Sequence, residues 1–463
     1  MSPVTLPSTT AAILYGPRDI RVEERNLWPP SSGHAQVKVM STGLCGSDRM
    51  FLPFAGSERV SSFFALVHYY SHGRNGDFAV RAPLVLGHEA AGYVTAVAPG
   101  VTHLKVGQRV AIEAGISCRS CKHCDSGRYN LCKGMRFCSS AARFPHVDGT
   151  LQTKMNHPAF VLHPIPDGVS FELASLAEPL SVLLHASRRA ELRANQSIMV
   201  FGVGAIGLLA CALAKHRGAS RVVAIDINQA RLDFAKREGF ADEVFCLPPP
   251  PSSSSAPSSH SHSHSHSHAP PPPKTNGASH STTKPTPTTP KEMSDEQLRM
   301  AKESAAAALS AFSSSEGYDI VFECTGAESA IQMSIFCATT GGRVMLIGMG
   351  TRAAYLPLST AALREVDILG SFRYANTYPE ALELLSMPSP SSSSDSTSSP
   401  SSNSEQPTSP SIPLPLPVLA AKLVTHRFKL EDTKKAFEML AKGTDEAGGL
   451  VLKVMVGSQD EGY

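Results

Sequence analysis

The stretch Ser197-Ile198-Met199-Val200-Phe201-Gly202-Val203-Gly204-Ala205-Ile206-Gly207 decides the fold of this 463-residue chain. Ser197 to Phe201 reads as a short buried strand and Ala205 to Arg217 as a helix, with the glycines between them. In that context Gly202 allows a tight turn, Gly204 lets the backbone approach a pyrophosphate, and Gly207 lets the helix pack closely; Ile206 belongs to the same turn. The helix N-terminus then faces the phosphates. Asp226 closes the next predicted strand, which begins at Arg221, and its carboxylate suits the adenine ribose hydroxyls. A carboxylate there repels a 2'-phosphate, so NAD is favoured over NADP. Arg231, on the following helix, either flanks the adenosine or is an exposed helix arginine.

Moving outward, helices and strands alternate: a helix from Ala230 to Glu238, a strand from Tyr318 to Glu323, a helix from Ser329 to Thr339, then strands at Gly342 to Gly348 and Val366 to Phe372. That order predicts a parallel sheet covered by helices. Pro, Ser, Thr and an alternating Ser-His tract, His260 to His268, interrupt it from Pro248. Such a composition buries too little apolar surface to offset its ordering entropy, and it reads as disordered filler more readily than as a divalent-metal site. A helix-like stretch from Ser294 to Phe312 follows. A second polar tract, Ser389 to Ser411, precedes a strand-like Leu423 to Phe428 and a helix from Leu430 to Lys442. The N-terminal part is different, with a hairpin over Thr10 to Glu24 and strands at Ala35 to Met40, Ala90 to Ala98 and Val106 to Glu113, as in a small β-barrel.

The balance of 42 basic against 40 acidic residues leaves a net charge of +2, which gives no reason to expect nucleic acid or an anionic membrane as partner. No apolar run approaches the ~18 to 20 residues of a membrane span, and Met1 to Thr10 lacks the features of a secretory signal. The expectation is a soluble, cytoplasmic protein. Ten cysteines, four of them clustered, suit metal ligation in a reducing compartment.

Those four form Cys118-Arg119-Ser120-Cys121-Lys122-His123-Cys124 with Cys132 beyond, a spacing that fits one closed, structural Zn2+; the alternative is four free thiols in a loop. A second donor set is more dispersed. His88 and Glu89 stand side by side in Gly87-His88-Glu89, and Cys45 lies upstream in Gly43-Leu44-Cys45-Gly46-Ser47-Asp48. Together they could supply three ligands to a zinc with an open position, which polarises a carbonyl or stabilises an alkoxide opposite a hydride carrier. Glu178, in Ala177-Glu178-Pro179-Leu180-Ser181, is a fourth ligand, a holder of the zinc-bound water, or simply a carboxylate at a helix start.

These motifs, with His68-Tyr69-Tyr70, Glu323-Cys324-Thr325-Gly326, Arg364-Glu365-Val366-Asp367, Phe372-Arg373-Tyr374 and Val424-Thr425-His426-Arg427-Phe428, make the chain resemble the zinc-dependent medium-chain dehydrogenases. Within them it is most similar to the branch that acts on sorbitol, xylitol and L-arabinitol. The resemblance implies an α/β architecture: a GroES-like β-rich catalytic domain over 1–180, and a Rossmann doubly wound coenzyme domain over 181–372 with a disordered insert at about 248–293. The chain would return to the catalytic domain over 373–463, with a second disordered insert at about 387–413. It also implies that Cys45, His88 and Glu89 hold a catalytic zinc with Glu178 at or one water from it. Ser47 would sit beside the reacting oxygen and help relay its proton, and Tyr69, Phe137, Arg373 and Tyr374 would line a polyol pocket. Two zincs per subunit, NAD, a homodimer or homotetramer, and oxidation of a polyol to the ketose follow as expectations.

One segment departs from that pattern. Residues 49–66 separate Ser47 from Tyr69, and leaving out those 18 positions shortens the Cys45 to His88 separation from 43 to 25, close to the family spacing. The segment is either translated intron or a genuine addition at the substrate mouth. In the second case it alters specificity or impairs catalysis, and the alternatives to a polyol dehydrogenase are a zinc dehydrogenase for another secondary alcohol or an impaired zinc- and nucleotide-binding protein.

Overall fold

The strand Ser197–Phe201 is flanked by Arg221–Asp226 on one side and Tyr318–Glu323 on the other, all parallel. The computed structural model describes residues 8–46, 65–75, 77–248, 289–351, 353–387 and 414–457. Within these, six parallel strands run in the order Glu243–Cys246, Arg221–Asp226, Ser197–Phe201, Tyr318–Glu323, Ala338–Leu346, Asp367–Gly370. Strand order therefore reverses between Ser197–Phe201 and Tyr318–Glu323, and ligands bind in the crevice that such a reversal opens at the carboxyl ends of the strands. The three central strands are buried almost throughout, as a sheet covered on both faces requires.

The second sheet is mostly antiparallel. Its strands run Leu162–Pro164, Arg109–Ile112, Glu89–Val97, His34–Leu44, Lys453–Gly457, Val424–Lys429, with Lys154–Pro158 also paired to His34–Leu44. The last strand, Lys453–Gly457, lies against His34–Leu44 with Val454 opposite Leu44, so the chain comes back to the β-rich unit after building the parallel sheet. A hairpin of Ser8–Gly16 and Asp19–Asn26 joins Leu84–Val85 in a separate three-stranded sheet.

Several elements differ from the sequence expectation. The helix expected from Ser294 begins at Pro290, inside the stretch expected to be disordered up to 293. A reciprocal cap starts it there: the Thr289 hydroxyl accepts from the Glu292 amide at 3.2 Å while the Glu292 carboxylate accepts from the Thr289 amide at 3.0 Å. The His260 to His268 tract and most of both proposed inserts lie outside the described residues. Helices Ala177–Arg189, Tyr378–Ser386 and Leu416–Lys422 were not delineated from sequence. Each carries proline in its first turn (Pro179, Pro379, Pro417), where the missing N–H costs nothing, and such a proline reads as a breaker in a linear scan. The short edge strand Glu243–Cys246 also escaped notice, since four half-buried residues carry no periodicity. Of residues 49–66, only the backbone of 65 and 66 is described, as the start of the helix Ala65–His72.

Candidate active site

Three donors meet where two antiparallel strands pair. Cys45 follows the end of His34–Leu44, and Glu89 opens Glu89–Val97 opposite Gly43. A Cβ on Gly43 would stand 2.3 Å from a Glu89 carboxylate oxygen, so a glycine is required for the carboxylate to lie across the strand. Gly87 has φ +98, and a Cβ there would meet the Thr150 hydroxyl at 2.6 Å; the turn that delivers His88 thus needs glycine on two counts. One donor atom each from Cys45, His88 and Glu89 lies within 4.8 Å of the others, and His88 and Glu89 are buried.

Burial sets the protonation of this group. It holds His88 neutral, with a pKa pulled down to about 3, and the Lys453 and Arg373 charges add to that, so the ring presents a lone pair. It pushes the Cys45 thiol up to about 12, with the Glu89 carboxylate adding to the effect, so the thiolate a zinc needs forms only when a cation arrives to stabilise it. Glu178 goes up to about 8, chiefly from burial and then from Glu89. A neutral imidazole, a thiol and carboxylates enclosed together suit a divalent cation, and the donor types are those of zinc.

Lys453 completes the inner set and was not foreseen. Its ammonium donates to both Glu89 oxygens at 2.9 and 2.7 Å and to the Leu44 carbonyl at 3.3 Å, with both side chains of the ion pair almost fully buried. Burial lowers its pKa, but the Glu89 carboxylate and Cys45 outweigh this and leave it raised. A lone lysine in the apolar run Leu450-Val451-Leu452-Lys453-Val454-Met455-Val456 is the signal that marks it, because a buried ammonium must face an anion.

Around this centre the expected pocket residues assemble. Phe137 packs against His88 with ring centroids 5.5 Å apart, and the Arg373 guanidinium lies 3.9 Å from the centre of the Phe137 ring. Among the described residues Arg373 makes no hydrogen bond or ion pair, and burial lowers its pKa, with Tyr374, Glu178 and Tyr69 acting against that. Tyr374 is buried beside Glu178, and among the described residues its hydroxyl has no partner at normal hydrogen-bond distance. Tyr69 is buried, its hydroxyl accepting from the Ala141 amide at 3.0 Å. Glu178, on the first turn of Ala177–Arg189, borders the Cys45, His88 and Glu89 group without belonging to it. Ser47 lies outside the described residues.

In the parallel sheet, Gly202 has φ +85 and a Cβ on Gly207 would sit 1.7 Å from the Gly202 carbonyl oxygen, so strand and helix approach as closely as the motif requires. Gly204 precedes the helix Ala205–His216 as its N-cap, and Ile206 is half-buried within its first turn. Asp226 ends its strand with both oxygens engaged, accepting from the Val203 amide at 2.8 Å and the Asn228 amide at 2.9 Å. It therefore braces the glycine turn as well as bordering the crevice. Arg231 lies in the first turn of Gln229–Arg237, its amide donating to the Asn228 cap at 3.1 Å.

The lobe thiols also come together. All four sulfurs lie within 4.8 Å of one another, with Cys121 to Cys124 at 3.6 Å and Cys118 to Cys124 at 3.9 Å. These separations are near the ~3.8 Å edge of a tetrahedron built on zinc–sulfur bonds of ~2.3 Å. They are far beyond a disulfide bond, and all ten cysteines are free. The Ser120 amide lowers the Cys118 thiol to about 6, while burial raises Cys132 to about 11.

This architecture and its donor sets define a class. Residues 31–167 match the alcohol dehydrogenase GroES-like domain, and residues 205–247 and 292–387 match the zinc-binding dehydrogenase domain. The chain belongs to the zinc-binding dehydrogenase family. It is 34% identical over 446 residues to sorbitol dehydrogenase of Rattus norvegicus, covering 96% of this chain and 94% of that protein. Against sorbitol dehydrogenase of Homo sapiens it is 32% identical over 458 residues, 98% of each. The resemblance to the sorbitol branch is thereby borne out. Among solved structures, L-idonate 5-dehydrogenase from Escherichia coli superposes with a TM-score of 0.67 at 22% identity, covering 97% of this chain and 98% of that one, which confirms the fold. No helix among the described residues is long and apolar enough to cross a membrane.

Proposed function

We propose that this chain oxidises a secondary hydroxyl of a sugar alcohol of the sorbitol or xylitol type to the ketose, with NAD as acceptor. The observation that carries this reading is Arg373: a half-buried guanidinium with no hydrogen bond among the described residues, stacked on Phe137 and acted on electrostatically by Tyr374, Glu178 and Tyr69. A cation so placed is suited to hydrogen-bond hydroxyls away from a reacting carbon. The likeness to sorbitol dehydrogenases supports the same substrate class.

Cys45, His88 and Glu89 hold the catalytic zinc in this reading, and Cys118, Cys121, Cys124 and Cys132 hold the structural one. Zinc there would supply a Lewis acid for the substrate oxygen, and NAD would take the hydride. Tyr69, Phe137, Arg373 and Tyr374 wall the substrate. Glu178 stands beside the ligand group as a carboxyl able to hold a proton near neutral pH, and Ser47 relays the proton outward. Gly202, Gly204, Ile206 and Gly207 cradle the pyrophosphate, Asp226 selects NAD by repelling a 2'-phosphate, and Arg231 borders the adenosine. The β-rich unit spans 1–180 and 373–463, and the coenzyme unit 181–372.

The protein is read as a cytoplasmic homodimer or homotetramer. Reduced, clustered thiols support the compartment. The exposed Leu358 and Leu363 near the edge strand Asp367–Gly370 support the assembly. The test is NADH formation by the zinc-loaded protein across sorbitol, xylitol and L-arabinitol, run in parallel with NADP. No turnover of any of the three would overturn the reading.

A further inference from the structure

The turn that carries Arg373 has an improbable backbone. Arg373 has φ +49 and Asn376 φ +57, and neither is glycine. A left-handed arginine persists only where its surroundings over-determine it. Those surroundings are chiefly the cysteine lobe, between Cys124 and Cys132, with Arg188 of the helix Ala177–Arg189 also donating to the Asn376 carbonyl at 3.0 Å. Asn130 donates from Nδ2 to the Phe372 carbonyl at 2.9 Å. The Asn376 amide donates to the Tyr129 hydroxyl at 2.9 Å, and Asn376 Nδ2 donates to the Gly127 carbonyl at 2.7 Å. Both ends of the turn are thus tied to one four-residue span of the lobe, 127–130.

We propose that the lobe segment 127–130 is a clamp that fixes the turn 372–376 and so aims Arg373 into the substrate cleft, which makes Tyr129 and Asn130 positioning residues for polyol recognition. Tyr129 is itself braced, donating to the buried Glu113 carboxylate at 2.9 Å, which His163 also contacts at 2.7 Å. Its place is therefore set from the catalytic sheet. Zinc held by Cys118, Cys121, Cys124 and Cys132 would steady this span from both sides, and through it the turn that carries Arg373. This inference rests on Arg373 being a substrate-binding residue, as proposed above.

The test uses the full-length, zinc-loaded protein with Tyr129→Phe and, should that variant not fold, Asn130→Ala. The expected result is a KM for polyol raised about fivefold, the loss of one hydrogen bond's worth of positioning. Turnover number, NAD affinity and zinc content should hold, and KM for a secondary alcohol without further hydroxyls should not move. Combined with Arg373→Ala, either variant should add nothing to the single substitution. Amide exchange over 373–375, followed by mass spectrometry, should speed up, and this readout stands even if no polyol is turned over. Equal losses for polyol and simple alcohol, additivity with Arg373→Ala, or unchanged exchange over 373–375 would each overturn the clamp.

Discussion

Replacing Lys453 with methionine should weaken the metal-free protein far more than the zinc-loaded one. The ammonium meets both oxygens of Glu89 at 2.9 and 2.7 Å, with side-chain exposures of 3% and 1%. Removing one partner of a buried ion pair leaves the other charge uncompensated, at a cost of about 3–5 kcal/mol. Methionine fills much of the lysine volume, so little of the loss comes from a cavity. Without metal, Glu89 has no other cation in contact among the described residues, and the whole penalty falls on the fold. With zinc held by Cys45, His88 and Glu89, the ion offsets the carboxylate and the penalty shrinks. The assay is denaturant unfolding of wild type and Lys453→Met, each with zinc and after chelation, read from the midpoint of the β-rich unit. The gap between loaded and chelated protein should widen by about 2–3 kcal/mol, part of the buried-pair penalty. Equal destabilisation with and without zinc would refute the reasoning, because Lys453 and the metal would then not share Glu89.

Three further outcomes can be checked. His157 is fully enclosed, bonded to the Glu113 carbonyl at 2.9 Å, and burial lowers its pKa to about 4. The unfolded chain therefore binds a proton between about pH 6.5 and 4 that the folded chain refuses; stability falls by up to about 3 kcal/mol as pH drops through that window, and His157→Gln should flatten this slope in pH-dependent unfolding. Gly207→Ala puts a Cβ 1.7 Å from the Gly202 carbonyl, so the turn must open, and NAD binding measured by calorimetry should fall by at least tenfold, about 1.4 kcal/mol. Cys121→Ser removes one of the four lobe sulfurs, and bound zinc measured by atomic absorption should fall from two per chain toward one while the Cys45 site keeps its metal.

Local pattern carried much of this structure. The glycine turn, the strands on either side of it and the tight cysteine lobe are short-range features, and a single chain reports them directly. His88 and Glu89 were legible as donors because they are adjacent, and Cys45 and Glu178 because each lies in a family motif. Lys453 was not, since its meaning comes from Glu89, 364 positions away. The same holds for Tyr129 and Asn130, whose partners at 372 and 376 sit on the far side of the parallel sheet in sequence. The helices with proline in their first turn were missed for a local reason instead: a residue that ends helices can also begin them.

The strand Lys453–Gly457 closes the catalytic sheet beside Cys45 only after the whole parallel sheet has been made. On the ribosome the first β-rich segment must wait, with Glu89 deprived of Lys453, while the six-stranded unit emerges and folds. The coenzyme unit is then the natural first folding unit, and the metal centre reaches its final charge balance only after that unit has emerged. Zinc taken up earlier would bind Cys45, His88 and Glu89 in an open edge, and a truncated chain that stops short of Lys453 would expose that edge together with an unpaired buried carboxylate.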